Sequence, residues 1–104
     1  MALKPEDFLI LLVLSRGERH GYGIMKEVES ESGGEVRLGI GSLYRLLGRL
    51  LRSGLVATIA AARGSDPRRR NYRLTPQGER VLREESQRLA ALVQKVKARG
   101  LLAR

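Results

Sequence analysis

The chain has 104 residues, no cysteine, a single histidine and a formal net charge of +9. That length suits one domain with a modest core, and the missing cysteine excludes disulfides, cysteine-ligated zinc and thiol catalysis. The longest apolar run, Phe8 to Leu14, has seven residues. A membrane span needs roughly 20, and no cleavage-site pattern follows the run, so the chain reads as soluble and cytoplasmic. Between Val36 and Arg73 nine arginines face one acid, Asp66, which leaves eleven basic residues against ten acidic ones elsewhere. A genome rich in arginine codons would not strip acids from one segment. The segregation implies a basic surface turned to a polyanion, with nucleic acid ahead of an anionic membrane surface.

Taken in order, Lys4-Pro5-Glu6-Asp7 opens a first helix, with proline in its first turn and two acids where the helix dipole favours them. Phe8 to Leu14 is apolar on every side, so this helix must be covered almost all round, in part by a second subunit. Ser15 to Arg19 reads as a turn. His20-Gly21-Tyr22-Gly23 then leads into a short amphipathic helix on Ile24, Met25 and Val28, whose outer face carries Glu27, Glu29 and Glu31. Those acids would repel phosphate, which puts this helix behind any nucleic-acid surface. His20 has no nucleophile or carboxylate beside it in sequence, and a backbone-capping role suits it better than that of a catalytic base. Ser32-Gly33-Gly34 breaks the helix, and Glu35 to Leu38 alternates as a short edge strand would.

The third helix, from about Gly41 to Ser53, organises the chain. Leu43, Leu46, Leu47 and Leu50 fall at i, i+3, i+4 and i+7 and form one apolar stripe. Ser42, Arg45, Arg49 and Arg52 take the other side, with no carboxylate among them. Gly54 stands just past the end, where a left-handed closing residue is expected. Such a helix fits a groove lined with phosphates and base edges; taken alone, it fits an ordinary solvated basic face equally well. Leu55 to Ala60 begins a β-branched strand, Arg63 to Pro67 is dense in turn formers, Arg68-Arg69-Arg70 marks the tip, and Asn71 to Leu74 returns. The product is a β-hairpin with a cationic end. Thr75-Pro76 starts the last helix, with threonine as N-cap and proline first. It runs to about Arg99, with Leu82, Leu89 and Val96 every seven residues and Leu92 and Val93 between them. That is a seam for another helix, weakest at Glu85-Ser86.

The order of elements gives a mainly α fold with a small β-hairpin: a winged helix-turn-helix over residues 1–75 and a dimerisation helix over 76–104 of the same structural unit. Here the residues resemble the PadR-type transcriptional regulators, in their short branch with one C-terminal helix. The resemblance rests on His20-Gly21-Tyr22, on Gly41-Ser42-Leu43-Tyr44, on Arg52-Ser53-Gly54-Leu55-Val56, and on the run Arg69 to Gly78. It implies a homodimeric repressor of an inverted-repeat operator. The third helix would enter the major groove through Ser42, Tyr44 and Arg45. Arg49 would reach phosphate or a base edge beside Arg52, and Arg68, Arg69 and Arg70 would form the wing contact. Subunits would pair through the first helix and through Leu82, Leu89, Leu92, Val93 and Val96. Two departures stand out: Arg45 occupies a place where the family often has proline, and Glu18-Arg19 replaces a Gly-Pro. Small-molecule effectors of some short members stack on tryptophan, which this chain lacks. A module binding RNA or an acidic protein is the competing reading. An enzyme is not expected, since no phosphate-cradling glycine motif or nucleophile set is present, and neither cofactor nor metal is expected.

Overall fold

The computed structural model describes residues 3–59 and 70–102. Four helices and three strands follow in the order α1 (Pro5–Leu14), β1 (Arg19–His20), α2 (Gly21–Glu31), α3 (Ile40–Arg52), β2 (Val56–Ile59), β3 (Asn71–Leu74) and α4 (Pro76–Ala98). The antiparallel sheet has the order β1-β3-β2, with Val56 opposite Leu74 and Ile59 opposite Asn71 in the hairpin. Arg63 and the arginines at 68 and 69 lie outside the described residues.

One core joins these pieces. Ile10, Leu11, Val13 and Leu14 of α1 pack with Ile24 and Val28 of α2, the four-leucine stripe of α3, Leu55, Val56, Tyr72 and Leu82. Burying one such side chain is worth about 1.5–3 kcal/mol, so the α3 stripe alone fixes which face of that helix looks outward. α1 is buried on several sides, as its unbroken apolar run requires. Helices α2 and α4 and strand β3 pack against it.

Two junctions hold α3 and α4 against the sheet. Gly54, at φ +75°, ends α3 in the left-handed region. There its N–H donates to the Leu51 carbonyl and Leu55 N–H donates to Leu50, the paired pattern of a glycine-closed helix end. At the start of α4, the Thr75 hydroxyl accepts from Gly78 N–H at 2.9 Å and donates to the Gly54 carbonyl at 2.7 Å. Thr75 N–H in turn donates to the Leu55 carbonyl at 3.1 Å. One threonine therefore caps α4 and ties it to the residue that closes α3. The expected N-cap at Thr75 stands.

Two expectations are corrected. The third strand is not Glu35–Leu38, which has no regular structure, but Arg19–His20, within and just after the stretch expected to be a turn. β3 has only two edges; β2 takes one, and Arg19 opposite Tyr72 and His20 opposite Asn71 take the other. Val36 and Leu38 instead pack half-buried against the core. The seam of α4 also begins later than the heptad spacing suggests, because Leu82 is only 7% exposed within its own chain. The first turns of α4 thus pack on the core of the same chain, and only the later ones are left uncovered.

Candidate nucleic-acid interface

The outward line of α3 is set by its inward one. With the leucine stripe buried, Gly41, Arg45, Gly48 and Arg52 fall at i, i+4, i+7 and i+11 on the side away from the core. Arg45 and Arg52 are exposed, and no carboxylate among the described residues pairs with either. Ser42 is half-buried on one flank. Tyr44, on the other flank, lies across α2 with its hydroxyl over Gly21, where any Cβ would collide with it. This contact joins the two motifs His20-Gly21-Tyr22 and Ser42-Leu43-Tyr44: the first supplies the side-chain-free seat and the second the ring.

Arg49 has a different geometry from its neighbours. One of its guanidinium nitrogens donates to both carboxylate oxygens of Asp7, at 3.0 Å each. Asp7 is buried, with a side chain only 9% exposed, while that of Arg49 is 40% exposed. Arg49, expected at phosphate or a base edge, docks α3 onto α1 through this nitrogen. A buried aspartate without a partner would be costly, so the pair holds both residues.

The acids of α2 are also answered locally. Glu27 pairs with Arg19 at 2.7 Å, Glu29 with Arg37 at 3.2 Å and Glu31 with Arg16 at 3.5 Å. The repulsion expected from this helix is therefore reduced at its source, although each exposed pair adds little stability. His20 caps α2 as expected, its Nδ1 accepting from Gly23 N–H at 3.1 Å. A chain of neighbours then leads across the surface: Asn71 lies opposite His20 in the sheet, Gly21 follows His20, and Tyr44 covers Gly21. The end of the hairpin nearest its tip, where exposed Arg70 stands, thus lies on the side of the molecule reached by the first half of α3. Tyr72, beneath Arg70, has its phenol pushed up by burial, with Tyr44 adding and Arg70 opposing.

Ile40 is a further exposed residue of α3, not marked by the spacing of the arginines. It is the first residue of α3 and is 66% exposed, more than any other large apolar side chain of that helix. It stands between Gly39 and Gly41, three residues before Leu43 and seven before Leu47, at the N-terminal end of the leucine stripe. Among the described residues no cluster of His, Asp or Glu has the geometry to hold a metal ion, and no helix is long and apolar enough to cross a membrane.

Three helices around a small antiparallel sheet, a third helix with its polar side outward and a long closing helix define a winged helix-turn-helix protein. Known proteins place it further. The model of the transcriptional regulator PadR-like family matches residues 10–84, and the chain belongs to that family, whose members are transcriptional regulators and not enzymes. A PadR family transcriptional regulator from Eggerthella lenta is 33% identical, with a TM-score of 0.68 over 90% of this chain and 82% of that one. A transcriptional regulator from Clostridium thermocellum is 26% identical, with a TM-score of 0.72 over 89% of each chain. Bacillus subtilis PadR, solved in complex with operator DNA, is 26% identical, with a TM-score of 0.65 over 75% of this chain and 44% of that one. An uncharacterized 37.1 kDa protein in transposon TN4556 of Streptomyces fradiae is 37% identical over 92 residues. The alignment spans 88% of this chain but about a quarter, 25%, of that relative's length.

Proposed function

We propose that this chain is a sequence-specific regulator of transcription that binds duplex DNA through α3 and the hairpin, as a homodimeric repressor at an inverted-repeat operator. The observation that carries the reading is the outward line of α3. Its two arginines have no carboxylate partner among the described residues, in a helix whose opposite face is locked into the core. An exposed guanidinium at the reading end suits the bidentate acceptor pair of a guanine edge, and Arg45 is assigned that role. Arg52, at the C-terminal end of the same outward line, is assigned to phosphate. The complex of Bacillus subtilis PadR with operator DNA supports duplex DNA as the partner and the cytoplasm as its place of action. Arg68, Arg69 and Arg70 are proposed to touch the backbone from the wing. Arg49 is left out of the contact set, because Asp7 engages it.

Dimerisation is proposed through α4. Leu89, Leu92, Val93 and Val96 are each between 36% and 45% exposed along one helix, and a second copy would cover them. Two-fold symmetry then demands half-sites about one DNA turn apart.

Selection of bound duplexes from a random pool tests the reading directly, with duplex RNA and an acidic peptide as competitors. The expected result is a palindromic duplex-DNA consensus. Arg45→Ala should relax the preference at one base pair of each half-site by about 1–3 kcal/mol, whereas Arg70→Ala should weaken all duplexes alike. Preference for the RNA or the peptide, or full discrimination by the Arg45 variant, would refute the assignment.

A further inference from the structure

Ile40 stands out on a surface otherwise made of arginine, glycine, serine and tyrosine. It begins α3, it is 66% exposed, and no core residue gains from it. The residues on either side have no side chains: Gly39 is the N-cap of α3, a place that suits glycine, but no contact among the described residues requires the glycine at 41. Gly39 and Gly41 both lie outside the positive-φ region that favours glycine. A Cβ built on either would meet no atom within 4 Å. Gly48, one step further along the outward line, would meet only the free end of Arg52. A glycine within a helix is less stabilising than an alanine, so at Gly41 and Gly48 α3 gives up stability with no neighbour among the described residues that demands it. Bare backbone on both sides of a projecting apolar side chain is the shape expected where another molecule comes close.

The nucleobases offer one apolar feature in the major groove, the 5-methyl group of thymine. Residues at the N-terminal end of a reading helix are the ones that reach base edges. We infer that Ile40 is a specificity-determining residue that packs on a thymine methyl, and that Gly39 and Gly41 let the backbone come close enough for it to do so. The inference rests on the reading of α3 as the DNA-contacting helix and adds a base preference that the arginines do not supply. Ile40 and Tyr44 are four residues apart on the same flank, so the tyrosine ring borders the methyl-binding spot on one side.

Deoxyuridine differs from thymidine by that methyl alone. In the duplex obtained by selection, each thymidine is replaced in turn by deoxyuridine, and binding of the full chain is measured. One thymidine of each half-site should lose about four-fold in affinity on replacement, the effect of one buried methyl. The Ile40→Ala protein should bind the two duplexes equally, at unchanged thermal stability, because Ile40 supports no core contact. A second variant separates close approach from folding: Gly41→Ala should raise the melting temperature and weaken binding to the same duplex. Equal binding of every deoxyuridine duplex by the parent chain, discrimination that persists in Ile40→Ala, or undiminished binding by Gly41→Ala would each overturn the inference. A pool that yields no duplex consensus would instead remove the DNA reading beneath it.

Discussion

A methyl group added at Gly78 would collide with the Leu55 carbonyl and with the Leu74 side chain. That carbonyl accepts the Thr75 N–H, so it cannot swing away without breaking that hydrogen bond. Gly78→Ala should therefore destabilise the fold by roughly 1–3 kcal/mol, the range for overpacking, as a lower midpoint in urea unfolding. Gly21→Ala meets the end of the Tyr44 ring instead, a movable group, and should cost less. Arg49 makes the same point about charge. Arg49→Ala leaves buried Asp7 without its partner, and a loss of roughly 1–3 kcal/mol is expected for such an unanswered hydrogen-bonding group. Thermal unfolding without nucleic acid checks this. An unchanged melting temperature would return Arg49 to the set of available phosphate contacts.

Among the elements, α4 is anchored by a carboxylate. Glu85 is only 4% exposed; it accepts from Arg88 at 2.7 and 2.9 Å and from the Leu3 N–H at 3.0 Å. The Arg88 guanidinium bonded to it holds its carboxyl down to about 2, from an ordinary 4.5, with the Leu3 N–H assisting and burial opposing. A depressed carboxylate favours the folded state above its ordinary value and stops doing so as pH falls through the folded one. Stability should decline between pH 4.5 and about 2 as this bridge is protonated. Glu85→Gln should flatten that part of the curve of melting temperature against pH. The expected weak point of the helical seam is thus a tie between α4 and the segment just before α1.

For the molecule as a whole, the later half of α4 leaves Leu89, Leu92, Val93 and Val96 in solvent, and a second copy is the proposed cover. Replacing Leu92 with Glu would place a charge in the middle of that seam. Sedimentation equilibrium should then give a monomer where the parent chain gives a dimer, while the winged domain, whose core stops at Leu82, stays folded. Binding to a two-half-site duplex should weaken far more than binding to one half-site, since the second contact ceases to be intramolecular. A Leu92→Glu chain that remains dimeric would place the subunit contact elsewhere.

Much of this could be read from residue order. The leucine stripe of α3, the closing glycine at 54, the threonine cap at 75, the proline starts of α1 and α4 and the capping role of His20 all depend on spacings within one or two turns. Helical periodicity and turn chemistry express those spacings locally. The remaining features depend on partners far along the chain. Asp7 meets Arg49 across 42 residues, and Leu3 meets Glu85 across 82. No local pattern marks an arginine as spoken for, which is why Arg49 looked like its neighbours Arg45 and Arg52. The third strand was hidden for a similar reason: two residues carry no alternation, and only the open edge of β3 makes Arg19–His20 a strand. Sequence alone determined which face of each helix is apolar, because that follows from a fixed 3.6-residue turn. Tertiary packing decided which polar groups remain free, because a charge is answered by whatever the folded chain brings beside it.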